Sequence, residues 1–137
     1  MTPDIFAPEF IYELDDGRLM VTDELFRKIY IFEWVNNPPC CDLFIVTPMP
    51  YIGPSPALIE FDASGSSDPD PCDELSFSWD FDGDLVFDEP VDDSYTGTPD
   101  HPTHSYTQNY TGPVNLKVTD LNEEESLCTE IVSVIIL

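Results

Sequence analysis

The chain has 137 residues, enough for one complete domain of roughly 100 residues and little more. Its 28 acidic and 4 basic residues give a net charge of -24, which excludes nucleic acid and anionic membranes as partners, because both require a basic surface. No apolar run approaches the roughly 18 residues of a membrane span, and the first residues lack the basic and apolar regions of a signal peptide, so we expect no membrane insertion.

The first 39 residues predict a β segment that is distinct from the rest of the chain. Residues 19–23 end in Val-Thr-Asp and are followed by a charged turn and an apolar stretch, and the same order recurs at residues 116–120 and the strand after them. An internal repeat indicates a repeated structural unit. We therefore interpret residues 1–39 as an N-terminal β segment and linker, the tail of a preceding sandwich domain. The alternative is an extension that packs on a single domain.

A partial sandwich exposes sheet edges, and unpaired edges readily pair with another copy. The sequence therefore predicts self-association through residues 9–35. In one alternative, residues 1–36 assemble a surface fibre by strand exchange.

Residues 40–137 predict an all-β domain without a helix. Short stretches that are rich in apolar residues, some of them strictly alternating, are separated by Pro, Gly, Asn, Asp and Ser. The predicted strands are residues 43–47, 57–61, 75–79, 115–119 and 130–137. Several short strands with turns between them are typical of a sandwich of two antiparallel sheets.

Four motifs in this region follow one another in a characteristic order. They are Ser-Asp-Pro-Asp at 67–70, Trp-Asp-Phe at 79–81, Pro-Thr-His-Ser-Tyr at 102–106 and Val-Thr-Asp at 118–120. Over about residues 42–137 the chain thus resembles the PKD (polycystic kidney disease) family of immunoglobulin-like domains. The resemblance implies a non-catalytic extracellular or cell-surface module that spaces or links domains and mediates adhesion and other protein–protein contacts.

The first candidate metal site follows from this fold, in which the strand entry, the acidic turn and the last hairpin loop share one pole. Asp68, Asp70 and Asp120 would meet there, near Asn36 or Asn37, and calcium prefers six to eight oxygen ligands. Calcium-binding members of the family use a linker Asn, the Asp-x-Asp of this turn and the Asp of Val-Thr-Asp, so the resemblance implies the same ligands here.

Two features keep other interpretations of these aspartates open. The chain departs from the family pattern after Asp70, where Pro71 and Cys72 replace the usual Gly, and aspartates in turns often only cap backbone amides. The high acidity also has two explanations, since either bound calcium or adaptation to a salty, halophilic setting would relieve the self-repulsion.

A second candidate calcium site comprises Asp80, Asp82, Asp84 and Asp88. Alternating carboxylates with a Gly resemble a calcium loop, but the spacing fits an EF-hand poorly. The alternative is an acidic hairpin turn.

Four cysteines in a small acidic domain indicate an oxidising compartment, and their spacing does not fit structural zinc. The predicted disulfide joins Cys41 to Cys72, with Cys40 and Cys128 as alternative partners. Four free thiols are the remaining possibility.

No nucleophile motif or phosphate loop is present, so we predict that the protein is not an enzyme and has no catalytic residues. The rival function is a carbohydrate-binding module, which needs several aromatic rings exposed in one plane. The candidate rings are those of Trp34, Tyr51, Tyr95, Tyr106 and Tyr110.

Overall fold

The computed structural model describes residues 8–15, 18–23, 27–33, 35–70, 73–87 and 95–137. These ranges contain eleven β-strands and no helix, and hence none that meets the length and apolarity required of a membrane-spanning helix. The strands form one three-stranded and two four-stranded sheets. The chain divides into two compact units, Met1–Asn36 and Asn37–Leu137.

The first unit is an antiparallel sheet of three strands in chain order. Its strands are β1 (Pro8–Glu13), β2 (Leu19–Asp23) and β3 (Lys28–Phe32). In the central strand β2, Val21 and Asp23 on one side are buried, whereas Met20 and Thr22 on the other side are half-buried. One side of this sheet is therefore more enclosed than the other.

The second unit is a sandwich of two four-stranded sheets. Its strands are β4 (Phe44–Ile45), β5 (Tyr51–Gly53), β6 (Ala57–Asp62), β7 (Ser76–Asp80), β8 (Tyr95–Thr98), β9 (His101–Tyr106), β10 (Tyr110–Thr119) and β11 (Glu125–Ile136). One sheet has the order β5-β11-β10-β7 and the other β4-β6-β9-β8. All neighbours are antiparallel except β5 and β11, which run parallel.

The core of the second unit lies between the two sheets. Alternation along β6 buries Ile59 and Phe61, and the inward residues of β10 and β11 face them. At the centre, the rings of Trp79 and Phe81 stack with centroids 5.3 Å apart. The Trp79 indole Nε1 donates to the carbonyl of Pro99 at 2.8 Å, so its polar edge is satisfied inside the core.

The all-β sandwich predicted from the sequence is confirmed. The N-terminal segment does contain strands, yet its topology departs from that of the second unit. In the second unit, β9 precedes the closing hairpin β10–β11 and lies in the opposite sheet, whereas β1 pairs directly with β2. The tail of a preceding sandwich domain therefore stays a prediction.

Candidate metal centre

The entry into the second unit is fastened to the acidic turn that follows β6. The Asn37 backbone N–H donates to Asp70 Oδ2 at 2.7 Å, and the Asn37 Nδ2 donates to Asp70 Oδ1 at 3.0 Å. Three residues further on, Cys40 and Ser67 exchange two backbone hydrogen bonds of 2.7 and 3.0 Å. The linker is thereby held against the turn at two points.

Within the turn, carboxylates crowd together. Asp68 Oδ1 accepts the backbone N–H of Asp70 at 2.7 Å, which closes a local turn of the kind that Asp favours. Asp68, Asp70 and Asp73 each place a carboxylate oxygen within 4.8 Å of the others. Like charges at this separation repel one another unless something positive lies between them.

Two oxygens of this cluster have no hydrogen-bond partner although solvent does not reach them. They are Asp68 Oδ2 and Asp73 Oδ2. An enclosed carboxylate oxygen without a donor is costly, and each such atom in a native structure calls for an explanation. A cation bound between the two side chains would supply one.

Asp120 reaches the same end of the sandwich from the end of β10. It is 6% exposed, and its Oδ1 accepts the backbone N–H groups of Asn122 and Glu124 at 2.7 and 2.9 Å. Burial first, and then the charges of Asp68, Asp120 and Asp70, raise the pKa of the Asp73 carboxyl above its ordinary value. Four carboxylates therefore act on one another here.

The structure thus brings together most of the residues expected at the first site. Asp68 and Asp70 lie in one turn, Asn37 bonds to Asp70, and Asp120 lies within electrostatic reach. Asn36 belongs to the first unit and stays a prediction. Asp73 was not expected; its signal in the sequence was a third acid three residues after Asp-x-Asp, which the family pattern does not name.

The donor set is chemically suited to a hard cation. It consists of carboxylate oxygens, without sulfur or imidazole nitrogen in the described part of the cluster, and such oxygen sets favour calcium over softer transition metals. Asp68 and Asp73 have oxygens to offer, while Asp70 already holds Asn37. The residues therefore fit a calcium ion.

The second candidate site is differently built. Asp80 is fully buried, and it accepts the N–H groups of Gly83 at 2.7 Å and Leu85 at 3.0 Å and the Nδ2 of Asn115 at 2.7 Å. Gly83 has φ 79°, a left-handed conformation that glycine adopts without steric cost. Asp80 thus shapes the turn.

The other members of the second candidate site are similarly occupied. Asp82 and Asp84 accept backbone N–H groups two residues ahead, at 3.1 and 2.7 Å, although one oxygen of each lies within 4.8 Å of Asp80. Asp88 lies outside the described residues. These bonds favour an acidic turn, and calcium at this position stays a prediction.

The disulfide joins Cys41 to Cys128, with their Cα atoms 5.8 Å apart. The predicted pairing of Cys41 with Cys72 is therefore wrong; Cys72 lies outside the described residues, and Cys40 is an exposed free thiol. The reason is register: Cys128 pairs with the buried Leu116 and points inward, where Cys41 packs against the core.

The tyrosines proposed as a sugar-binding platform are engaged by the protein. Tyr106 is buried and its hydroxyl donates to the Phe81 carbonyl at 2.8 Å. The hydroxyls of Tyr51 and Tyr110 donate to Pro54 and Pro113 carbonyls at 3.1 and 2.5 Å. Burial, with the charges of Asp80 and Asp82, raises the pKa of Tyr110 to about 12. Trp34 lies outside the described residues.

Tyr95 is half-buried, and its ring meets that of Phe81 edge-on with centroids 6.0 Å apart. The four candidate tyrosines therefore do not form an exposed aromatic plane.

No protein-family model and no curated protein matches the chain, but solved structures do. The PKD1 domain of Vibrio anguillarum Epp is 23% identical with a TM-score of 0.53, over 75% of this chain and 100% of that domain. The PKD1 domain of the Vibrio cholerae metalloprotease PrtV is 22% identical with a TM-score of 0.50, over 72% of this chain and 99% of that domain.

A third similar structure comes from work on carbohydrate-binding modules of the β-sandwich superfamily, which have promiscuous specificity. It is 26% identical with a TM-score of 0.56, and the match covers 74% of this chain and 36% of that one. The chain therefore has a PKD-like, immunoglobulin-like β-sandwich fold.

Proposed function

We propose that this protein is a non-catalytic extracellular module that spaces or links domains, makes protein–protein contacts such as adhesion and is stabilised by calcium at the acidic turn. The observation that carries the proposal is the pair of enclosed, unpartnered oxygens on Asp68 and Asp73. The ion would neutralise repulsion among carboxylates that otherwise disfavours the compact fold.

The same site explains how an ion would act on the linker. Asp70 lies in the turn with Asp68 and holds both the backbone and the side chain of Asn37. An ion that fixes the turn would therefore also fix the residue at which the chain enters the sandwich. A flexible connection becomes a stiff one, which is the property that a spacer needs.

Two further observations support an extracellular setting. The Cys41–Cys128 disulfide is of a kind that persists in oxidising compartments. One of the similar domains is part of a metalloprotease, which supports the view that such a domain accompanies other functional parts of a protein.

The test is calorimetry of the full chain at low salt, with calcium or with a chelator. At a calcium concentration of 100 times Kd the site would add about 2.7 kcal/mol to the free energy of unfolding, which raises the Tm of a domain of this size by roughly 10–20 °C.

Asp68→Ala should abolish this rise in Tm, and so should Asp120→Ala. Glu130→Gln, which removes an exposed carboxylate of β11 outside both acidic turns, is the control and should retain the rise. A Tm that is independent of calcium at low salt would refute the proposal.

Carbohydrate binding is the second candidate, favoured by the similarity to carbohydrate-binding modules. The engaged tyrosines of the described region weigh against it. Retention of the protein on a column of insoluble polysaccharide, tested with cellulose and then with chitin, would support this alternative. Elution with the void volume on each would count against it.

A further inference from the structure

One side of the sheet in the first unit carries apolar side chains at every described position except Thr22. Directly paired residues of an antiparallel sheet point to the same side, as do residues two apart on a strand. Tyr12 pairs with Met20, and Met20 pairs in turn with Ile31. Thr22 pairs with Phe10 in β1 and with Ile29 in β3, so these residues point to the same side. The resulting apolar face consists of Phe10, Tyr12, Met20, Thr22, Ile29 and Ile31.

This apolar face is exposed. Phe10 is 54%, Tyr12 51%, Ile29 65% and Ile31 55% accessible to solvent, and the rings of Phe10 and Tyr12 stack with centroids 5.9 Å apart. The exposed parts of these four side chains amount to roughly 500 Å², given the surface that such side chains carry. A patch of this size falls within the roughly 300–600 Å² of the largest apolar patch on a typical monomer, and such patches often take part in binding.

Charge narrows the choice of partner. The apolar face contains no carboxylate or cation, on a chain whose net charge is -24. Three of the four basic residues, Arg18, Arg27 and Lys28, also belong to the first unit. A second copy of this chain therefore meets the least electrostatic repulsion if it approaches through the first unit.

We propose that the apolar face packs against the same face of a second copy, so that two three-stranded sheets form a two-layer sandwich around a twofold axis. Two such faces would bury about 1,000 Å², near the lower limit for a specific interface. A twofold contact is self-complementary, and sheet-on-sheet packing is a standard way to cover an apolar sheet face. The proposal does not depend on calcium.

The salt dependence of dimerisation distinguishes the proposed apolar contact from one made by ion pairs. An apolar contact between two strongly acidic molecules strengthens as salt rises, because screening reduces their repulsion while the apolar burial remains. A contact made by ion pairs would weaken instead.

The experiment is sedimentation equilibrium of the full chain in chelator, over a range of sodium chloride and protein concentrations. We expect a monomer–dimer equilibrium that shifts toward dimer with salt. Ile29→Lys should weaken dimerisation at least about tenfold, because a twofold contact loses the side chain twice. Ile11→Lys is the matched control: Ile11 is 67% exposed but lies opposite Val21, on the other side of the sheet, and dimerisation should persist.

Far-UV circular dichroism and a melting curve check that each variant is folded, and Ile31→Thr provides a milder change on the same face that keeps a strand-favouring residue. A wild-type monomer at every salt and protein concentration would overturn the proposal. So would dimers that Ile11→Lys disrupts as strongly as Ile29→Lys, or dimers that dissociate as salt is added.

Discussion

If calcium binds at the acidic turn as proposed, substitution of Asp73 should have opposite effects on stability with and without the ion. Burial and the neighbouring charges of Asp68, Asp120 and Asp70 raise its pKa, so in the absence of a cation its charge opposes folding. Asp73→Asn should therefore raise the Tm in chelator and reduce the increment that calcium adds. Calorimetry in both conditions tests this. Asp100→Asn, a change in an exposed turn remote in sequence, serves as the control and should leave the calcium increment intact; an undiminished increment in Asp73→Asn would remove this residue from the site.

The pH dependence in chelator follows from the same residue. Because the folded-state pKa of Asp73 is raised, the folded domain binds its proton more tightly than the unfolded chain does. Stability therefore rises as the pH falls through that pKa, down to the unfolded value of about 3.9. Asp82, whose pKa burial also raises, contributes with the same sign.

Two other aspartates act in the opposite sense at lower pH. Hydrogen bonds from the Ser64 side chain and backbone lower the pKa of Asp62, and a hydrogen bond with the Thr98 side chain lowers that of Asp100. Their contribution is present above the unfolded pKa and is lost as the pH falls through the folded one. Urea unfolding in chelator should thus show a stability maximum on the acidic side of neutrality, and Asp73→Asn should flatten its rise. Stability that only declines on acidification would contradict this sign.

At the scale of elements, the disulfide connects the strand entry to the closing strand. Cys41 and Cys128 are separated by 87 residues, and closing so long a loop restricts the unfolded chain considerably, with native bridges contributing about 2–5 kcal/mol. The double variant Cys41→Ser with Cys128→Ser should lose stability in this range, measured by urea unfolding. Cys40→Ser alters an exposed free thiol next door and should change little. Equal losses in both would show that the bridge itself contributes nothing.

The strands that sequence reasoning found are those whose alternation is uninterrupted. β6 and β7 lie within one residue of their predicted bounds. β10 was expected from residue 115 but begins at Tyr110, because Gly112 and Pro113 are strand breakers when considered alone. The structure tolerates them because the ladder between β10 and β7 reaches only to Asn115. β11 similarly starts five residues earlier than expected, since pairing with β10 extends through its polar first half.

In the candidate site, some residues could be predicted from the sequence and others could not. That Asp68, Asp70 and Asp120 lie at one end follows from the order of strands in such a sandwich, which the motifs indicate. The inclusion of Asp73 depends on how the chain returns into β7, which no local pattern determines. The disulfide likewise depends on the register of β10 and β11, which places Cys128 opposite Leu116; register is a property of pairing and is absent from either strand by itself.

For the whole molecule, a net charge of -24 is associated with two kinds of repulsion, one spread over the surface and one local to the acidic turn. Charges spread over the surface repel at distances comparable to the Debye length, about 10 Å at 0.1 M salt, and any electrolyte screens them. The repulsion inside the acidic turn is local and involves oxygens that solvent does not reach. Screening by salt would therefore relieve the first repulsion, and the proposed calcium ion would relieve the second.

These two kinds of repulsion lead to different curves of Tm against salt and against calcium, and the curves distinguish salt adaptation from a calcium site. In chelator, sodium chloride should raise the Tm gradually up to molar concentrations, as screening grows. Calcium should raise it in a saturable step at low concentration, and part of that step should remain in molar sodium chloride, because the ionic atmosphere does not enter between Asp68 and Asp73. Magnesium, which demands a tighter octahedral arrangement, should produce a smaller step at the same ionic strength. If molar salt erases the calcium step completely, the acidity of this chain serves its solvent, and the enclosed oxygens need an explanation other than a bound cation.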